Sequence, residues 1–241
     1  LMSFYGNDGD LSVQHQMETL EMADGLIGEG EAALYIESLG WIGSLTYIDP
    51  ISGYWLSMLE ETDFSFYGYA VDPGLEYSLH SGANLISFPS HGSIGIGDGI
   101  PDEVEDQFIG IIAEGVAATY VDSLGWIGTL TEFSGTKGYW VLTETALSFS
   151  FDLTNLSEDV ASRVFTAKTP AGYEYKQSTE QAFYFIEDIS GIIPGDWIFA
   201  YSGDLVVGAR QWSGEITDVP AMGDDGSKFT AGYCTAGSIP T

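Results

Sequence analysis

Short apolar runs separated by glycine-rich turns dominate the hydrophobic pattern of this chain. The runs NLISFP, AALYIES, WIGSLTYI, GYWLSML and DFSFYG are short and rich in β-branched and aromatic residues. Several alternate apolar with polar residues, which is the period expected of a strand with one buried face. The pattern therefore predicts a fold made mostly of antiparallel strands joined by tight turns.

Two stretches have the spacing of amphipathic helices instead. The first is predicted to cover about residues 12–23, with Ser12 or Asp10 as its cap and Gly25 as its stop. The second is predicted to begin near Pro101, because proline suits the first turn of a helix. Their apolar faces consist of Val13, Met17 and Leu20 in the first, and of Ile100, Val104 and Phe108 in the second.

An internal duplication organises the first two thirds of the chain. Residues 29–55 (EGEAALYIESLGWIGSLTYIDPISGYW) recur as residues 114–140 (EGVAATYVDSLGWIGTLTEFSGTKGYW), with 16 of 27 positions identical at an offset of 85. Upstream, LMSF at residues 1–4 matches LISF at residues 85–88. A period of this length indicates two copies of one module rather than a solenoid.

We predict a β-rich α+β fold from this organisation. Residues 1–68, the first copy, and residues 69–157, the second copy, form tandem antiparallel-sheet modules with one helix each. Residues 158–241, the third domain, form a β-sandwich-like domain with a hairpin turn at Tyr201 to Asp204. Leu75, Tyr77 and Leu79 predict a leading strand in the second copy, whereas the first copy lacks its counterpart.

The charge distribution limits the classes of partner. The chain has 36 acidic and 6 basic side chains, hence a net charge of −30, and neither Lys nor Arg precedes Lys137. Binding to nucleic acid or to anionic membranes relies on basic residues, so we expect neither partner. The acidic surface suits a salty medium, although simple solubility explains it equally well. No apolar run is long enough for membrane insertion.

The sequence contains no pattern that indicates catalysis, so we predict that the chain is not an enzyme. His15, His80 and His91 stand apart in unlike contexts, and neither a nucleophile elbow nor a phosphate loop occurs. Cys234 is the single cysteine, which excludes an intrachain disulfide. Its thiol could be buried, free or paired between chains, and burial is the usual state.

An acidic turn at residues 97–106 (GDGIPDEVED) is the candidate metal site. Asp98, Asp102 and Glu103 supply carboxylates in a tight turn, which is the kind of ligand set that calcium prefers. Calcium is therefore the one cofactor that the sequence suggests. The alternative is an acidic helix start favoured by the helix dipole.

Two tryptophans recur at the same place in the duplication and are candidate ligand-binding residues. Trp41 and Trp126 both stand in a Gly-Trp-Ile-Gly sequence. Aromatic rings on a sheet surface can stack on sugars or on partner chains, which makes a glycan a candidate partner. The alternative is that they fill the cores of their modules.

The quoted motifs also resemble known modules of secreted proteins. The sequence ANLISFPS, followed by EGVAATY, GWIGTL and GYWV, resembles a repeat module of large secreted proteins of marine bacteria. QSTEQAFYF, GDWIFAYSGDLVVGARQW, MGDDG and TAGY resemble a module that accompanies it in secreted and virion-associated proteins. The resemblance implies an extracellular, cell-surface or virion setting without catalysis.

These observations predict a structural or adhesive segment of an extracellular assembly, such as a filament, a cell surface or a virion appendage. The alternative is a carbohydrate-binding module of a larger secreted or surface protein. The chain opens inside an apparent strand, so we expect it to be part of something longer. Its partners would be copies of itself or other parts of the parent chain. Strand exchange would use the interface residues Leu1, Met2, Ser3, Phe4 and Tyr5.

Overall fold

Antiparallel strands make up most of the computed structural model, which describes residues 1–20, 22–60, 68–157 and 168–241. The predicted β-rich α+β class is confirmed. In the first copy and just beyond it, the elements are β1 (Gly6–Asn7), α1 (Val13–Gln16), β2 (Ala23–Ile27), β3 (Ala32–Ile36), β4 (Gly40–Gly43), β5 (Trp55–Met58) and β6 (Tyr69–Ala70).

The second copy contains more elements within its described residues. They are β7 (Tyr77–Leu79), β8 (Gly82–Ile86), β9 (Ser93–Gly95), α2 (Ile96–Gly99), α3 (Asp102–Glu105), β10 (Phe108–Ala113), β11 (Val116–Val121), β12 (Gly125–Gly128), β13 (Glu132–Ser134), β14 (Tyr139–Thr143) and β15 (Leu147–Phe149). The third domain contains β16 (Gln181–Ile186), β17 (Trp197–Ser202), β18 (Leu205–Gln211) and β19 (Thr217–Met222).

The helices are much shorter than predicted. Ser12 does cap α1, since its Oγ accepts a hydrogen bond from the His15 backbone, but α1 ends after one turn at Gln16. Gly25 does not stop a helix; it lies inside β2, which pairs with β3 on one side and β5 on the other. Backbone hydrogen bonds to two neighbouring strands outweigh a weak helical preference.

The second predicted helix is wrong in its extent for the same reason. Pro101 caps α3, which covers only Asp102–Glu105. Phe108 does not continue it; this residue begins β10, which is paired with β11 and β14. Of the predicted apolar face, Ile100 and Phe108 are buried and Val104 is half-buried, but the spacing did not distinguish a helix from a turn that leads into a central strand.

The sheets of the two copies share one strand order but differ at one edge. The first sheet has the order β4-β3-β2-β5 and the second has the order β12-β11-β10-β14-β8. At the offset of the duplication, β5 corresponds to β14. Among the described residues β5 is therefore an edge strand, whereas β14 is covered by β8.

The leading strand of the second copy forms as predicted, as β7. It lies outside the five-stranded sheet of that copy. In β7, Tyr77 and Leu79 are buried while Ser78 is exposed. This strand pairs with β15 near the end of the second copy. The predicted strand at residues 63–68 lies almost wholly outside the described residues. Another pair, β1 with β6, places Tyr69 and Ala70 beside the first copy, just past the predicted boundary.

Three hydrophobic clusters match the three sequence regions. One surrounds Leu26 and Tyr54, the second surrounds Phe88 and Phe133, and the third surrounds Val207 and Met222. In the third domain, β16 pairs with β19 and β17 pairs with β18. The predicted hairpin is confirmed: Ser202 pairs with Leu205, and Gly203 at the turn has a φ of 60°.

Candidate interaction sites

The acidic turn at residues 97–106 forms α2 and α3 with a bend between them. Asp98 lies in α2, where its Oδ1 accepts a hydrogen bond from Asn155 Nδ2 at 3.2 Å. Asp102 and Glu103 are exposed in the first turn of α3. Among the described residues, no group of three His, Cys, Asp or Glu side chains could hold a metal ion. The geometry thus does not assemble the suggested calcium site and fits an acidic helix start.

Trp126 is held by the core of the second copy. Its Nε1 donates a hydrogen bond to Glu105 Oε1 at 2.7 Å. Its ring centroid lies 5.5 Å from that of Tyr120 and 6.4 Å from that of Phe108. These contacts use the polar tip and part of the ring surface within the module, which is the packing role that the sequence left open.

Trp41 occupies the equivalent place in the first copy with one difference. It is half-buried against the core and its ring centroid lies 5.8 Å from that of Tyr35. At the offset of the duplication Leu20 stands where the second copy has Glu105, so the carboxylate partner is missing. Both tryptophans are half-buried, and each has a tyrosine ring within 6 Å of its own.

The segment from Leu1 to Tyr5 does form an interface, but with the same chain. Met2 exchanges two backbone hydrogen bonds with Tyr54, both at 2.8 Å. Ser3 N donates to the Thr136 carbonyl at 2.9 Å, and its Oγ donates to the Lys137 carbonyl at 2.6 Å. The Ser3 contacts join the first copy to the second, and those of Met2 stay within the first copy. The sequence had instead suggested this segment as an interface with a neighbouring chain.

The two copies contact each other reciprocally. Ser87 N donates to the Ile51 carbonyl at 3.0 Å, just as Ser3 N donates to the Thr136 carbonyl. Ser3 corresponds to Ser87, and Ile51 to Thr136, in the duplication. Each copy thus donates and accepts the same hydrogen bond. The interface between the two copies therefore has approximate twofold symmetry, as in an isologous dimer.

Two glutamates repeat this reciprocity. Glu29 Oε2 accepts a hydrogen bond from Leu85 N at 2.9 Å, and Glu114 Oε2 lies 3.4 Å from Leu1 N. Glu29 and Glu114 are equivalent, as are Leu1 and Leu85. The repeated Glu-Gly pair at the start of the duplication therefore serves the contact between the copies.

His80 adds a titratable group to one side of this contact. Its Nε2 lies 2.7 Å from Glu29 Oε1, and its Nδ1 lies 2.8 Å from the Ser81 carbonyl. The hydrogen bond with Glu29 is the main reason why the pKa of His80 is raised above its ordinary value. Protonation of His80 therefore strengthens a contact that joins the two copies.

A buried ion pair joins the third domain to the second copy. Arg210, from β18, and Asp218, from β19, have side chains that are 6% and 0% exposed, and their charged groups are 3.1 Å apart. Asp218 accepts hydrogen bonds from Thr129 N at 2.9 Å, from Thr129 Oγ1 at 2.8 Å and from Ala117 N at 3.3 Å. Arg210 donates to the Gly115 carbonyl at 2.6 Å.

Burial raises the pKa of Asp218, and the charge of Arg210 together with the donors of Thr129 opposes that shift. A buried carboxylate with this many donors is stable only while the two domains stay together, since separation would break most of its hydrogen bonds. We call Arg210 and Asp218 the clasp. The clasp was not predicted from the sequence. The available signal was a charged residue inside each of two apolar strands.

Cys234 is half-buried at the wall of a cavity in the third domain. The cavity measures about 330 Å³ and lies beside β16 and the C-terminal segment. Its wall includes Gln181, Tyr184, Asp224 and Pro240. Asp224 uses its carboxylate for the turn it starts, accepting from the Gly226 and Gly232 nitrogens.

Comparison of the chain with protein-family models, with curated proteins and with solved structures found no match. The described residues contain no helix that is long and apolar enough to cross a membrane.

Proposed function

We propose that this chain is a non-catalytic structural or adhesive segment of an extracellular assembly. The observation that supports this proposal best is the way its three units are joined. The two copies exchange matching backbone hydrogen bonds, and the clasp fixes the third domain on the second copy. Contacts of this kind suit a load-bearing or spacing element, because they hold modules in fixed relation rather than leaving them on linkers.

The acidic surface supports an extracellular setting for the same segment. With neither Lys nor Arg before Lys137, the carboxylates of the first copy depend mainly on solvent and counterions, beside the contacts of Asp8 with His15 and of Glu29 with His80. The resemblance to modules of secreted proteins points the same way. A filament, a cell surface and a virion appendage are all settings in which such a segment would act.

Strand exchange is the assembly route that we propose for this role. Met2 and Ser3 already have partners within the chain. The proposed acceptor for a further strand is β5, which pairs with β2 on one side, while Met2 pairs on the other side with Tyr54, just before β5 begins. An exposed strand edge offers unpaired backbone groups to another chain.

Electron microscopy and sedimentation velocity of the purified chain at seawater ionic strength test the proposal. We expect regular polymers from the wild type. Ser57→Lys, which puts a charge on β5, should prevent them. Ser38→Lys makes the same charge change in the exposed turn after β3 and should leave polymers intact. A wild-type chain that stays monomeric in all conditions would refute the assembly role, and polymers that form with Ser57→Lys would refute the β5 route.

A further inference from the structure

The receptor for the clasp on the second copy is built almost entirely from the main chain. It consists of the Gly115 carbonyl, the Ala117 and Thr129 nitrogens and the Thr129 hydroxyl. These groups flank the hairpin of β11 and β12. The backbone geometry of the hairpin determines the positions of these groups. A module with the same hairpin, and with Ser or Thr at the position of Thr129, therefore presents the same receptor.

The first copy has that hairpin. Gly30, Ala32 and Ser44 stand at the positions of Gly115, Ala117 and Thr129. Gly30 has a φ of 76° and Gly115 has a φ of 73°.

The closing hydrogen bond of the hairpin is also repeated. Leu45 N donates to the Ala32 carbonyl at 3.1 Å, and Leu130 N donates to the Ala117 carbonyl at 3.0 Å. The backbone that positions the receptor groups is thus the same in both copies.

The two receptors differ in what they contact. In the second copy Ala117 is buried, and its nitrogen donates to Asp218. In the first copy Gly30 and Ser44 are exposed, and the Ala32 nitrogen donates to the Ser44 hydroxyl at 3.1 Å. The hydroxyl of Ser44 thus takes the place of the carboxylate. A rotation of this hydroxyl would free both donors for an incoming acid.

We propose that this surface of the first copy is a second docking site for a β-rich module that presents an Asp–Arg pair on adjacent strands, as the third domain does. The aspartate would accept from Ala32, Ser44 N and the Ser44 hydroxyl, and the arginine would donate to the Gly30 carbonyl. Glu31 is exposed next to Gly30, and the first copy has neither Lys nor Arg, so the negative charge of this surface favours an approaching guanidinium. This inference is independent of assembly through β5.

The chain's own third domain can serve as the probe. Thr129→Glu places a carboxylate against Asp218 and should release the third domain from the second copy. The released domain should then dock on the first copy of the same or another molecule. Hydrogen–deuterium exchange should show lost protection at residues 115–130 and gained protection at residues 30–45 in the same sample. Docking between molecules would also raise the sedimentation coefficient with concentration.

Matched variants identify the contact. Ser44→Glu added to Thr129→Glu should abolish the gain at residues 30–45 while the loss at residues 115–130 remains. Thr129→Ser gives the second copy the hydroxyl residue of the first and should keep the third domain docked. The proposal is overturned if Thr129→Ser releases the domain, if Thr129→Glu leaves it docked, or if release brings no protection to the first copy.

A second probe covers the case in which Thr129→Glu also unfolds the third domain, which would appear as lost protection in β17 and β18. A cyclised peptide of residues 209–219 carries both clasp residues in one short segment of the chain. Added to the wild-type chain at millimolar concentration, it should protect residues 30–45, and it should not do so in Ser44→Glu. Equal exchange with and without the peptide would overturn the proposal.

Discussion

Gly53 and Gly138 meet backbone to backbone where the two copies touch. A Cβ atom built on Gly53 would lie 3.2 Å from the Cα of Gly138, and one built on Gly138 would lie 3.3 Å from the Cα of Gly53. Each would also lie 2.6 Å from a carbonyl oxygen, that of Ile86 or of Met2. This relationship explains why glycine precedes Tyr-Trp in both copies.

Substitution of either glycine should therefore destabilise the pair of copies. We expect Gly53→Ala and Gly138→Ala each to lower the free energy of unfolding by about 1–3 kcal/mol, because the backbones would have to separate. Urea denaturation measures the change. Gly97→Ala is the matched control, since a Cβ there meets only ordinary contacts at 3.6 and 3.7 Å. Equal losses for all three variants would contradict the close approach.

The two equivalent tryptophans should respond differently to loss of the indole N–H. Trp126→Phe removes the indole donor to the half-buried Glu105. We therefore expect a loss of free energy of unfolding about 1–2 kcal/mol larger than that of Trp41→Phe, because the first copy has Leu20 in place of the acid. Chemical denaturation of both variants tests the difference. Similar values for the two would mean that the Glu105 hydrogen bond contributes nothing to stability.

Calcium should stabilise the chain only as an electrolyte. Residues 1–136 contain 22 acidic side chains and neither Lys nor Arg, so self-repulsion should weaken the fold at low ionic strength. Sodium and calcium chloride at matched ionic strength should raise the melting temperature alike. A larger rise with calcium that Asp98→Asn removes would restore the calcium site predicted from the sequence.

Mild acid should strengthen the contact between His80 and Glu29. Because the folded-state pKa of His80 is raised above the ordinary 6.5, its contribution is fully present below pH 6.5 and disappears as the pH rises through the folded value. The difference in melting temperature between wild type and His80→Gln should thus be larger at pH 6 than at pH 8.5. His15 is present in both proteins, so its effect on the melting temperature cancels in this comparison. A difference that does not change with pH would exclude the coupling.

A substitution of one clasp residue should lower the free energy of unfolding more than a substitution of both. Asp218→Asn leaves Arg210 charged and buried, so we expect a loss of about 3–5 kcal/mol. Replacing both residues, as in Arg210→Met with Asp218→Leu, removes the uncompensated charge and should recover part of that loss. A double-mutant cycle from urea denaturation gives the coupling. Additive losses would show that the two residues act separately.

The sequence predicted local features well. Ser12 caps a helix and a turn follows Ser202 because short-range hydrogen bonds and glycine conformation determine both features. The extent of the helices was mispredicted, since Gly25 and Phe108 lie in strands whose partners are distant in the sequence. Non-local pairing of this kind leaves no signature in a window of neighbouring residues.

The contacts between units were not predicted, for a related reason. Arg210 and Asp218 come together only once the fold places β18 beside β19, and Thr129 belongs to a predicted strand run that the sequence does not relate to them. Trp126 illustrates the opposite case: its repetition drew attention to it, but repetition alone does not distinguish packing from binding. What the sequence did contain, and what went unused, was the repeated Glu-Gly pair at Glu29 and Glu114.

The reciprocal contact between the copies also bears on how such a chain could have arisen. A symmetric contact between identical modules is the arrangement of a homodimer, and joining its two subunits end to end raises their effective concentration without altering a single contact. The present chain has the form of a fused dimer. Once the halves were tethered they were free to diverge, so that Thr129 now holds the third domain while Ser44 faces solvent.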